Sequence, residues 1–130
     1  MKAVEQGDAD AMKNIGDLYL LGGNGMKKSN TKAMEWYKKA AEQGNVDACV
    51  NIGYLYQNGD GVKQNFAEAM SWYKKAADRG NADAMKRIGI LFELGYGVKK
   101  NYAEANKWFS KAMAQLRPSG KDKTIKLSGR

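Results

Sequence analysis

The block WYKKAAEQG occupies Trp36–Gly44 and returns as WYKKAADRG at Trp72–Gly80. A more divergent copy, WFSKAMAQL, lies at Trp108–Leu116, so the three tryptophans are separated by 36 residues and then by 36 again. Self-similarity at a fixed period of this length is typical of stacked copies of one supersecondary unit. The sequence therefore predicts a repeat protein that serves as a binding scaffold.

Each copy carries the signals of two helices. Asp8, Asn45 and Asn81 each precede an alanine-rich stretch with apolar residues at helical spacing, which predicts a first helix with a polar N-cap. The first helix is predicted to end at a glycine, and after a short glycine-bearing loop the second helix contains the tryptophan block. Glycine also recurs inside the first helix, at Gly16, Gly53 and Gly89. Because a glycine there costs about 1 kcal/mol relative to alanine, its recurrence predicts a close crossing of helices.

Composition argues against several classes of function. The chain has no histidine and one cysteine, so zinc, haem and Cys-His or Ser-His chemistry lose their usual ligands and bases. Cys49 is the counterpart of Met12 and Met85, which predicts a buried apolar residue rather than a nucleophile. No pair of carboxylates stands out from the repeat pattern as an acid and a base. We therefore expect a non-enzymatic protein without a cofactor or a metal ion.

The charge and hydropathy of the 130 residues bear on partners and on location. The formal net charge is +8, but the basic excess lies in residues 81–116 and 117–130, so no basic stripe follows the whole array. The basic end predicts a solvated tail, with a nucleic-acid-binding arm as the less favoured alternative. No apolar run is long enough to span a membrane, and the N-terminus has no signal-peptide core. These features indicate a cytoplasmic protein; a signal sequence on a longer parent would make it periplasmic or secreted.

The shared patterns A-x-x-x-I-G-x-L-Y, N/L-G-x-G-V and A-x-x-W-Y/F-x-K-A resemble those of Sel1-like repeats, relatives of the tetratricopeptide repeats. The resemblance implies an all-α fold, a right-handed α-solenoid of stacked antiparallel helix pairs whose first helices line a concave face. It divides the chain into repeats at 8–44, 45–80 and 81–116. Residues 1–7 are then the end of a preceding repeat or an N-terminal cap, and residues 117–130 are a basic, flexible tail.

The same resemblance implies a scaffold or adaptor that binds a protein or peptide on the concave face. Mapped onto this chain, the binding residues are Lys13, Asn14, Asp17, Val50, Asn51, Tyr54, Lys86, Arg87 and Ile90. A clamp for a peptide's terminal carboxylate, built from Lys13, Asn51 and Arg87, is disfavoured because Asp17 and Asp83 replace an asparagine and a lysine of that pattern. Two further alternatives remain open: an immunity protein that neutralises a bacterial toxin, and self-association through the end repeats.

Overall fold

The computed structural model describes residues 2–23 and 25–116, which form six helices and no strand. The helices are α1 (Lys2–Leu21), α2 (Asn30–Glu42), α3 (Val46–Asn58), α4 (Phe66–Asp78), α5 (Ala82–Leu94) and α6 (Tyr102–Leu116). Each helix packs mainly on its neighbours along the chain, so that three antiparallel pairs stack in order. The predicted all-α solenoid is therefore confirmed. The tail predicted at residues 117–130 lies outside the described residues.

Asparagine side chains set where the later helices begin. The side-chain oxygens of Asn45 and Asn81 accept hydrogen bonds from the amides of Ala48 and Ala84 at 2.8 and 2.7 Å. These bonds satisfy amide groups that have no partner within the helix, which confirms both residues as N-caps. The second helices begin at Asn30, Phe66 and Tyr102.

The first helix differs from the prediction. Asp8 is not an N-cap, because α1 begins at Lys2 and runs through Asp8 without a break. The residues before Asp8 explain this result: the segment KAVEQ consists mostly of good helix formers, and the single Gly7 costs only about 1 kcal/mol. As a result α1 has 20 residues, whereas α3 and α5 have 13 each.

The core lies between the stacked pairs. Ala48, Ile52 and Leu55 of α3 are buried against α2, and their counterparts Ala84, Ile88 and Leu91 of α5 are buried against α4. Trp72 packs against the first of these clusters and Trp108 against the second, so both tryptophans contribute to the packing between units. Each is only half-buried, and a lysine ammonium lies over its ring: Lys75 over Trp72, and Lys111 over Trp108.

The predicted close crossing is confirmed within each helix pair. A Cβ atom added to Gly53 would lie 2.6 Å from Cε1 of Tyr73, closer than such atoms approach in folded proteins. Gly16 and Gly89 stand in the same relation to Tyr37 and Phe109. The glycines are therefore required because an aromatic ring of the second helix lies directly against the backbone of the first.

Candidate surface on the first helices

The nine predicted binding residues occupy three equivalent positions on each of the stacked helices α1, α3 and α5. Repeat symmetry brings these positions side by side along the array. We call this surface the first-helix face. Val50 is a correction to the prediction, because it is 7% exposed and belongs to the core between α4 and α5. The other eight residues have some surface exposed.

The centre of the first-helix face is a contact between two repeats. The guanidinium of Arg87 on α5 lies over the ring of Tyr54 on α3, 4.8 Å from its centroid. Tyr54 is 44% exposed, although it is a large aromatic residue. Arg87 also forms an ion pair within α5, where its Nε lies 3.3 Å from Oδ2 of Asp83. Cation–π contact and ion pairing thus hold the arginine in one place while leaving one side of the tyrosine accessible.

Beneath this pair lies the buried hydroxyl of Tyr73. The hydroxyl donates to Oε1 of Gln57 at 2.6 Å. Burial raises the pKa of Tyr73 to about 12, and the nearby Arg87 acts in the opposite direction. Since the phenol stays neutral over the physiological pH range, Tyr73 acts as a hydrogen-bond donor to Gln57 beneath the first-helix face.

The α1 part of the first-helix face is occupied by internal bonds. Oδ1 of Asp17 accepts a hydrogen bond from the hydroxyl of Tyr37 at 2.5 Å, and Oδ2 pairs with Nζ of Lys13 at 2.8 Å. The hydrogen bond to Asp17 raises the pKa of Lys13. Burial, followed by the hydrogen bond to Asp17, raises the pKa of Tyr37. Both charges on this part of the face are thus partnered within the protein.

This pairing bears on the carboxylate clamp. Two of the three residues that would form it, Lys13 and Arg87, already contact the carboxylates of Asp17 and Asp83. A peptide carboxylate would have to displace these groups and would be repelled by them. The geometry therefore disfavours the clamp, in agreement with the sequence argument.

Two hydrogen bonds from tyrosine hydroxyls, Tyr37 to Asp17 and Tyr73 to Gln57, were missed by sequence reasoning. A signal for the first was present in the aligned copies. The copy with Asp17 has a tyrosine after its tryptophan, whereas the copy with Ile90 has Phe109, which has no hydroxyl to satisfy. The aspartate is thus explained by a buried donor on the second helix rather than by a ligand.

The remaining features of the described residues give no indication of catalysis. No group of three or more Cys, Asp or Glu side chains within residues 2–23 and 25–116 is arranged to hold a metal ion. Cys49 is half-buried against the core, and burial raises the pKa of its thiol, which lowers its reactivity. Over the same part of the chain, we find no helix that is both long enough and apolar enough to cross a membrane.

Comparison with known proteins identifies the repeats. The model of the Sel1 repeat family matches three times, at residues 9–45, 46–81 and 82–115. No match was found among curated proteins. Among solved structures, a Sel1 repeat protein from Oxalobacter formigenes is 41% identical with a TM-score of 0.76, and the alignment covers 83% of this chain and 44% of that one.

Two further structures are similar. The protective antigen c5321 of uropathogenic Escherichia coli, which has an SLR fold, is 36% identical with a TM-score of 0.77; the alignment covers 88% of this chain and 24% of the antigen. Helicobacter pylori cysteine rich protein B is 25% identical with a TM-score of 0.67, and 96% of each chain is covered. The present chain thus spans less than half the length of the first two proteins.

Proposed function

Because this chain belongs to the Sel1 repeat family, whose members generally mediate protein–protein interactions, we propose that it is a non-catalytic scaffold that binds a protein or peptide on its first-helix face. The proposed binding residues are those of the prediction that keep exposed surface: Lys13, Asn14, Asp17, Asn51, Tyr54, Lys86, Arg87 and Ile90. Val50 is excluded by its burial.

The observation that carries the proposal is the exposed Tyr54 ring with Arg87 over it. Tyrosine and arginine are enriched among residues that dominate binding energy, because both offer a large contact area together with polar groups. The ion pair with Asp83 and the stacking on Tyr54 fix the arginine before a partner arrives, which lowers the entropy lost on binding. Asp17 and Lys13 are engaged internally, so we assign them to the margin of the site.

The test measures binding of a partner first captured with the wild-type chain and then purified. Tyr54→Ala and Arg87→Ala are each expected to weaken binding by roughly tenfold or more, the range for central aromatic and arginine residues. Helix content by circular dichroism should stay unchanged, since both side chains lie at the surface.

The chain offers a matched control at Tyr102 and Lys100. Tyr102 is an exposed tyrosine on a second helix, and the ammonium of Lys100 lies 5.5 Å from its ring centroid. Tyr102→Ala and Lys100→Ala remove the same type of contact away from the first-helix face, and binding should be unaffected. If the Tyr54 and Arg87 variants bind as tightly as the wild type, the site lies elsewhere.

A further inference from the structure

The junction of the second and third repeats carries an exposed apolar residue that the sequence prediction did not include. Leu94 on α5 is 47% exposed, close to the 44% of Tyr54 on α3. Leu94 lies one helical turn beyond Ile90 and two turns beyond Arg87, so these three residues are on the same side of α5. We call Tyr54, Ile90 and Leu94 together the apolar patch of the first-helix face.

The exposure of the apolar patch does not depend on what lies beside the ends of the array. Tyr54 belongs to the second repeat, between α1 and α5, and it stays exposed with a repeat on each side. Asn58, which is the counterpart of Leu94 in that repeat, is also exposed although α5 follows it. The place that Leu94 occupies therefore remains open when a further repeat packs beside it.

The charges around the apolar patch indicate the chemistry that a partner needs. Arg87, which lies over Tyr54, is already paired with Asp83. Asp47 lies two turns before Tyr54 on α3; it is exposed, and within the described part of the chain no side chain forms an ion pair with it. Arg79 lines the same cavity as Asp47 without pairing with it. An acidic partner would be repelled by the two aspartates, whereas an apolar side chain at the patch and a basic one near Asp47 are both complementary.

The wider distribution of charge agrees with this interpretation. The whole chain has a formal net charge of +8. Residues 8–21 of α1 together with α3 and α5, however, contain six carboxylate and only three basic side chains. The first helices thus carry an acidic excess within a basic protein, and charge complementarity favours a partner segment with basic residues.

We propose that the first-helix face binds a basic segment of a partner protein, which places an apolar side chain on the apolar patch and a lysine or arginine near Asp47. This inference rests on the proposed function and adds Leu94 and Asp47 to its binding residues. Two helical turns, about 10 Å, separate Asp47 from Tyr54 along α3. An extended chain covers that distance in roughly three residues, since it advances about 3.3 Å per residue.

The experiment selects ligands for the purified whole chain from a displayed library of random short peptides. The selected peptides should share an apolar residue with a lysine or arginine about three positions away, and acidic residues should be depleted. A synthetic peptide of the shared sequence is then titrated by calorimetry. Because part of the attraction is between exposed charges, raised salt should increase the dissociation constant several-fold.

Two asparagine replacements in the third repeat form a matched pair. Leu94→Asn removes an apolar side chain from the patch and should raise the dissociation constant roughly tenfold or more, whereas Leu94→Met should keep it within about threefold. Tyr96→Asn changes a similarly exposed residue beyond the end of α5, where its ring stacks on Phe66, and should bind like the wild type.

The charge part of the inference is tested separately at Asp47. Asp47→Asn should weaken binding several-fold at low salt and have little effect at high salt, where the attraction is already screened. All of these variants change exposed side chains, and circular dichroism should show unchanged helix content.

The outcomes separate this inference from the proposed function. If Tyr54→Ala and Arg87→Ala abolish binding of the selected peptides but Leu94→Asn does not, the first-helix face remains the site and the inference is wrong. If none of the three variants changes binding, the proposed function is contradicted as well. Shared acidic residues, or a library that yields no binder, would also overturn the inference. So would self-association of the wild type that Leu94→Asn prevents, since the occupant would then be a second copy.

Discussion

Replacing Gly53 by alanine tests the contact between a first helix and the aromatic ring of its partner helix. The added Cβ would lie 2.6 and 2.7 Å from two ring carbons of Tyr73 and 3.2 Å from the carbonyl oxygen of Ala69. The ring cannot move aside freely, since Tyr73 is fully buried and its hydroxyl is bonded to Gln57. Two opposing effects therefore decide the outcome: helix propensity favours alanine, and the packing opposes it.

The packing effect is the larger of the two. Alanine gains about 1 kcal/mol in helix propensity over glycine. Overpacking a well-ordered core costs about 1–3 kcal/mol. Displacing the ring also weakens the bond from Tyr73 to Gln57, worth about 1 kcal/mol. The free energy of unfolding should therefore fall by about 1–3 kcal/mol, measured by urea denaturation followed by circular dichroism.

Gly89→Ala provides the matched comparison. Its added Cβ would also lie 2.6 Å from a ring carbon, in this case of Phe109. Phe109 has no hydroxyl to hold it and lines an open cavity of about 410 Å³ between α5 and α6, so its ring can shift outward. The loss should be smaller than for Gly53→Ala by about 1 kcal/mol or more. A Gly53→Ala variant as stable as the wild type, or two equal losses, would refute this account of the glycines.

Three further perturbations test other parts of the structure. The pKa of Tyr73 in the folded state is about 12, so above about pH 10 the unfolded state loses the phenolic proton before the folded state does. The free energy of unfolding should therefore fall over pH 10–12, and less so in Tyr73→Phe, as followed by thermal unfolding. Asn45→Ala should lower the free energy of unfolding by about 1–2 kcal/mol, because it removes an N-cap and the bond to Asp10; an unchanged urea midpoint would contradict this. Asn30→Phe should raise the free energy of unfolding, measured by urea denaturation, by roughly 1 kcal/mol, since Oδ1 of Asn30 is buried without a partner and the second repeat has Phe66 in the same place; a lower value would show that the amide is satisfied.

The helices could be predicted from the periodic sequence because the residues that the fold requires recur at equivalent places in each repeat. Asn45 and Asn81 were recognised as N-caps, and Gly53 as a close crossing, since each recurs in equivalent places. Asp8 was misassigned by the same logic: it shares the position but lacks the preceding turn, so helix-forming residues carry α1 past it. The repeat pattern therefore predicts the role of a residue correctly only where the segments beside that residue are also alike in each copy.

The binding residues were less predictable because exposure depends on three-dimensional packing. Val50 occupies the same place in its repeat as Lys13 and Lys86, and only the structure shows that it is buried. Likewise, an aspartate at position 17 looks like a ligand contact until the hydroxyl of Tyr37 is found beside it. Which polar residues are free for a partner is set by the second helices behind the face, and a pattern read along the first helices does not contain that information.

On the first-helix face, the three repeats differ most at the position occupied by Asp17, Tyr54 and Ile90. A comparison of these three residues narrows the proposed site further. Asp17 is explained by the hydroxyl of Tyr37, and Ile90 stands in the repeat whose ring, Phe109, has no hydroxyl. Tyr54 has no such explanation, because the hydroxyl of Tyr73 already has Gln57 as its acceptor. A large aromatic residue that the internal packing does not require, and that remains 44% exposed under an arginine, is the residue most readily explained by a partner. Binding specificity should therefore depend on the junction of the second and third repeats more than on the first.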